Sequence, residues 1–245
     1  MKTYLAITPK EAEQLPACPL PLVHIAYVID EGGMLARLPA DVRGALMGLS
    51  DRCKKPLPHA QALIRTILHE CDARQFDGVF ADLEPSPLPD RAPFLDQLGA
   101  ALSRNGKQLY TPLPVPSANV LVSTAISGGS LREMLCDART RYGRIALDVQ
   151  RLIMDFPLPC MSGQGQPMTA DELHTLRKRR DISVFYSREL GAHYFTHRLD
   201  GETHFVLFDD AQSLRAKLAL GTQLGIETAF LMYPEVRDLL PELLK

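Results

Sequence analysis

Short apolar runs rich in β-branched residues alternate with longer amphipathic stretches along the whole chain. Runs of this kind read as strands when they are bounded by turn residues. They predict strands at Thr3–Thr8, Val23–Asp30, Gly44–Asp51, Gly78–Glu84, Gln108–Leu113, Asn119–Ile126, Arg144–Val149 with a possible continuation to Asp155, Ser183–Tyr186 and Thr228–Tyr233. Helical periodicity predicts helices at Lys10–Leu15, His59–Arg74, Asp90–Arg104, Leu131–Tyr142, Thr169–Arg180 and Ala211–Leu224. Thr169 and Glu172 have the spacing of a capping box, and Asp209-Asp210 supplies an N-cap to the last helix.

Strands that read as near-continuous apolar runs, each followed by a helix, imply a parallel sheet covered by helices. One segment departs from the alternation. His193–Leu199 and Glu202–Phe208 are joined by Asp200-Gly201, a type I′ hairpin signal placed ahead of the last helix and strand. Eight or nine strands in 245 residues suit a single (β/α)₈ barrel, a TIM barrel with an inserted β-hairpin, spanning residues 1–245 as one domain. A doubly wound open sheet is the alternative, but no Gly-x-Gly-x-x-Gly follows the first strand. The Pro-rich stretches Pro85–Pro89, Pro112–Pro116 and Pro157–Pro159 follow strand ends, where a barrel carries the loops that rim its site.

Composition narrows the partners. Net charge is −2 and the isoelectric point is about 6.4, which gives no electrostatic footprint for nucleic acid or an anionic membrane. The basic run Arg177-Lys178-Arg179-Arg180 closes a helix, where it complements the helix dipole. No run reaches transmembrane length and the N-terminal stretch has no signal-peptide core. The five cysteines are odd in number, scattered, and form no Cys-x-x-Cys or Cys/His cluster. A reduced, cytoplasmic setting with no cofactor and no structural zinc is expected.

The chemistry concentrates on Phe76-Asp77-Gly78-Val79-Phe80-Ala81-Asp82-Leu83-Glu84. Strand side chains alternate, so Phe80, Asp82 and Glu84 share one face and Asp77 has the other parity. Two carboxylates at the end of an apolar strand repel each other, which raises one pKa toward the range of a general acid. The pair could equally cap a turn or meet a basic neighbour.

This stretch resembles the fourth-strand signature of glycoside hydrolase family 18, the chitinase-like barrels, which is Asp-x-x-Asp-x-Asp-x-Glu within Phe-Asp-Gly. Asp77, Asp82 and Glu84 match, and Phe80 replaces the middle Asp. His24-Ile25-Ala26-Tyr27-Val28-Ile29-Asp30 with Gly33 and Leu35 is similar to the family's second strand and turn, and Gly44–Ser50 sits where its third strand belongs. His204 to Ala211 with Ser213, Lys217 and Gly225 resembles the closing segment of the spore-associated, peptidoglycan-directed branch.

The resemblance implies a TIM barrel and a retaining hydrolase of N-acetylamino-sugar glycans. Glu84 would protonate the glycosidic oxygen, and Asp82 would orient the substrate's own 2-acetamido group as it attacks the anomeric carbon. It also implies a Met-x-Tyr-Asp on the sixth strand, met here by Leu152-Ile153-Met154-Asp155 without the Tyr. The family's eighth-strand Trp falls on Met232 or Tyr233.

The chain has no tryptophan, the best flat surface for a sugar ring. Tyr27, Tyr110, Tyr186 and Tyr233 are the available substitutes, with Asp77, Asp155 and Met232 completing the expected substrate-binding set. The expected partner is a small carbohydrate or glycan fragment. A catalytically inactive barrel that binds a carbohydrate or protein, and a divalent-metal site on Asp82, Glu84 and Asp155, are the competing readings.

Asp148, Gln150 and Arg151 alternate so as to reach the same pocket, although a lone Arg reads first as an ion-pair partner. His193 and His197 share a face of the hairpin; isolated from Cys and acidic clusters, they read as ordinary strand residues. The Gly-rich stretch Ser162–Pro167 lacks the Lys of a phosphate loop and reads as a mobile loop.

Overall fold

A computed structural model describes residues 1–15, 18–83, 88–160, 165–179 and 181–245 of the chain. Eight parallel strands form its barrel: β1 Lys2–Ile7, β2 Leu22–Ile29, β3 Leu46–Asp51, β4 Gly78–Asp82, β5 Gln108–Thr111, β6 Asn119–Ser123, β7 Ile145–Asp148 and β8 Thr228–Met232. Each pairs in parallel with its sequence neighbour, and β1 joins β8 as well as β2, so the sheet closes and leaves no barrel edge. A short strand, Leu35–Arg37, lies antiparallel on the end of β2.

The helices that cover the barrel are α1 Ala60–Ala73, α2 Arg91–Arg104, α3 Leu131–Tyr142 and α5 Ala211–Gln223, while α4, Ala170–Arg177, covers the insertion. β5 and β6 are joined by residues 112–118 without a helix, in line with the uninterrupted strand signals there. No helix among the described residues is long and apolar enough to cross a membrane.

Two apolar layers account for the closure. Inside, Tyr4, Ala6, Val23, Leu46, Phe80, Tyr110, Ala146 and Phe230 fill the lumen. Phe230 is the hub, with ring centroids 4.8 Å from Phe80, 5.0 Å from Tyr110 and 5.4 Å from Tyr4. Outside, alternate residues of the same strands pack under the helices, as Val79 and Ala81 do beside Leu95 and Leu98. Gly78 opens β4 because β5 runs so close there that a Cβ would collide with the Gln108 backbone.

The insertion between β7 and α5 is a second, antiparallel sheet, larger than the hairpin predicted. Its strands run in the order Gln166–Pro167, Ile153–Leu158, Glu202–Phe208, Ala192–Leu199, Phe185–Ser187. Asp200 and Gly201 both take positive φ, 53° and 87°, as a type I′ turn requires. Two segments expected near the barrel belong here instead: Ser183–Tyr186 became an edge strand, and the continuation of Arg144–Val149 toward Asp155 became a separate strand. Polar Gln150-Arg151 interrupts the apolar run and lets the chain leave the barrel.

Closing segment and barrel are clamped by a buried charge network. Asp209 accepts hydrogen bonds from the Leu152 amide (2.9 Å), the Ser213 hydroxyl (2.7 Å) and the Lys217 ammonium (2.6 Å). The Asp209 and Lys217 side chains are fully buried. Asp210 then caps α5 through the Gln212 and Ser213 amides. The Asp-Asp-Ala-x-Ser-x-x-x-Lys pattern is thus structural: it ties the insertion's exit to its entry.

Candidate active site

The side chains that follow the lumen layer at the C-terminal strand ends are Ser50 on β3, Asp82 on β4, Ser123 on β6, Asp148 on β7 and Met232 on β8. Alternation places them there: each lies two residues beyond a lumen position or shares its parity. Register brings them into neighbouring pairs, Ser50 beside Asp82 and Ser123 beside Asp148. Asp82 is exposed at the mouth, with Phe80 packed directly beneath it.

Asp148 is the most perturbed acid of this mouth. Burial chiefly, then the nearby Glu235 carboxylate and the Asp82 charge, push it up to about 6; a hydrogen bond from Gln150 opposes them. The Gln150 amide donates to Asp148 at 2.7 Å, and Ser123 donates to the Gln150 carbonyl oxygen at 3.1 Å. Glu235, just beyond β8, is also raised by burial, although the Arg151 amide donates to it at 2.9 Å. Arg151 is an ion-pair partner: its guanidinium donates to Asp238 at 2.7 Å and to the Glu235 carbonyl.

A cleft of about 410 Å³ opens beside these groups, lined by Gln150, Met154, Met168 and Glu235 among others. A larger cavity of about 540 Å³ lies at the opposite end, lined by the starts of β5 to β8 with Arg139 and Glu227. Of these two the C-terminal cleft is the chemically relevant one, because Glu235 and the Gln150 that bonds Asp148 line it.

The predicted set does not assemble as a whole. Glu84 lies outside the described residues, as do Ser162, Gly163 and Gln164 of the Ser162–Pro167 loop, and Asp82 and Met232 take lumen-facing positions at the mouth. Asp77 sits at the base of β4, pairing loosely with Lys2 at 3.8 Å. Tyr110 stands in the lumen with its hydroxyl toward Thr228, at the base. Tyr27 points outward to α1 and donates to Glu70 at 3.1 Å, because a register shift after Ile25 turns it from the lumen. Tyr233 is buried among the outer apolar residues around α3 and α5.

Tyr186 belongs to the insertion's edge strand, its ring 5.0 Å from His193. Asp155 also belongs to the insertion, with Oδ2 at 2.8 Å from Nδ1 of His204. The sixth barrel strand is Asn119–Ser123, so Leu152–Asp155 is not its counterpart. Glu235 was not anticipated; its place just past the last barrel strand was the available signal.

No protein-family model and no curated protein matches the sequence. Solved structures do match. The Bacillus cereus spore cortex-lytic enzyme SleL superposes over 99% of this chain and 74% of its own, with 15% identity and a TM-score of 0.65. A Chromobacterium violaceum chitinase matches over 95% and 94% at 15% identity, TM-score 0.64. A Cycas revoluta class V chitinase mutant, solved with (GlcNAc)₃, matches over 99% and 98% at 11% identity, TM-score 0.64. The fold is that of the chitinases. This chitinase-like barrel has Asp82 at the end of β4 and Phe80 two residues earlier.

Proposed function

We propose that the chain is a retaining glycoside hydrolase of N-acetylamino-sugar glycans, with Glu84 as general acid and Asp82 orienting the substrate's acetamido group. The observation that carries this reading is Asp82, exposed at the C-terminal end of β4 in a chitinase-like barrel. Glu84 follows two residues later in the sequence. In this scheme the acetamido oxygen attacks the anomeric carbon while the glycosidic oxygen takes the Glu84 proton. Water then opens the cyclic intermediate and returns the proton.

Asp148 supplies what Phe80 cannot. A carboxyl held near pH 6 and within electrostatic reach of Asp82 can carry the proton that the missing middle Asp would have shared. The absence of tryptophan and the partly apolar cleft favour a short substrate, such as a peptidoglycan or spore-cortex fragment, over a long polysaccharide.

A second reading, an inactive barrel that binds such a glycan, draws on Phe80, which completes an aromatic layer where an acid belongs. Turnover separates the two. Wild type is expected to hydrolyse chromogenic N-acetylglucosaminides or short chitooligosaccharides, and Glu84→Gln to lose about 10²–10⁴-fold with an unchanged melting temperature. Wild type that cleaves none of these but binds a chitooligosaccharide in calorimetry establishes the second reading instead.

A further inference from the structure

Three strands of the inserted sheet bring Asp155, His197 and His204 together on one face. His204 lies opposite His197 on one side and Pro157 on the other, and Asp155 is two residues from Pro157, hence on the same face. The arrangement is well buried: His197 is 6% exposed, and the His204 and Asp155 side chains are 12% and 17% exposed.

Such burial normally demands hydrogen-bond partners. Yet neither ring nitrogen of His197 has one, nor does Oδ1 of Asp155. The two imidazoles stack with centroids 5.1 Å apart, and one potential ligand atom from each residue lies within 4.8 Å of the others. Orphaned nitrogens facing a carboxylate are the donor set a cation would complete.

We propose that Asp155, His197 and His204 form a binding site for a divalent first-row transition ion, of which Zn²⁺ is representative. Two imidazoles and one carboxylate suit Zn²⁺, Co²⁺, Ni²⁺ or Cu²⁺, whereas Mg²⁺ and Ca²⁺ select oxygen donors. Bonds of about 2.0–2.2 Å place tetrahedral ligands about 3.3 Å apart, so small side-chain rotations from the present spacing suffice. Three protein ligands leave one position for water. Asp181, within electrostatic reach of His197, is engaged with Arg179 at 2.7 Å.

The ion would pin three neighbouring strands of the insertion. Of the described carboxylates for which the sequence raised a metal site, Asp155 takes part and Asp82 does not.

The test uses the full chain, dialysed against chelator and titrated with ZnCl₂ or CoCl₂. One equivalent should bind in calorimetry, the melting temperature should rise by several degrees, and Co²⁺ should show visible bands without thiolate charge transfer. His197→Phe, His204→Gln and Asp155→Asn should each lose the equivalent, while Cys136→Ser keeps it. His197→Phe fills the same space and removes the orphaned nitrogens. Its metal-free form should therefore melt no lower than wild type. A folded wild type that binds no equivalent overturns the proposal, as does an equivalent that survives in all three variants.

Discussion

Asp148, half-buried, and Asp209, fully buried, are carboxylates at the two points where the insertion joins the barrel, and their surroundings are opposite in kind. Asp209 sits among three donors, one of them a fully buried Lys ammonium. Asp148 has Gln150 as its donor and faces the negative charge of Glu235 and Asp82. The first, so compensated, ties the chain together; the second, so under-compensated, keeps its proton to about pH 6 and can exchange it. The fold places the first at a joint and the second at the mouth, a division of labour between structure and chemistry within one chain.

Substitutions that neutralise the two sites should therefore have opposite signs. Lys217→Met leaves Asp209 buried without its cation and should cost about 3–5 kcal/mol, read by urea denaturation. Asp148→Asn should stabilise the protein at pH 8 by about 1–3 kcal/mol, since it removes a buried charge and keeps the acceptor for Gln150. The sign follows from linkage. The folded pKa lies above the ordinary value, so between about pH 4 and pH 6 the native state holds a proton that the unfolded chain has lost. Stability falls as pH rises through that window, and the Asn variant should lose its advantage near pH 4. Ser213→Ala, which removes one of the donors to Asp209, should cost about 1–2 kcal/mol. The smallest effect is Glu235→Gln, which should move the Asp148 titration downward, seen as a shift in the pH dependence of stability.

Much of this was legible in the sequence because barrel strands are apolar on both faces, and β1, β2, β4 and β8 begin or end within two residues of their signals. The Asp200-Gly201 turn was equally plain, since few dipeptides accept two positive φ values. One cause of what failed is that strand signals do not say which sheet a strand joins. Ser183–Tyr186 and the stretch through Asp155 were strands, but of the insertion. That misplacement put Asp155 and Tyr186 near the mouth and hid the His197–His204 pairing with Asp155. The tyrosines were chosen by residue type, and only packing reveals that Tyr27 and Tyr233 face outward while Tyr110 points to the base. The carboxylate strand itself was read correctly as far as Asp82, because a charge at the end of an apolar strand has few places to go.

The poised state of Asp148 is the pivot of the account, and a ¹³C titration of the aspartate side-chain carboxyls measures it directly. One resonance, absent in Asp148→Asn, should titrate near pH 6 in wild type and move lower in Glu235→Gln. An Asp148 resonance that titrates in the ordinary carboxylate range, indifferent to Glu235, would contradict it.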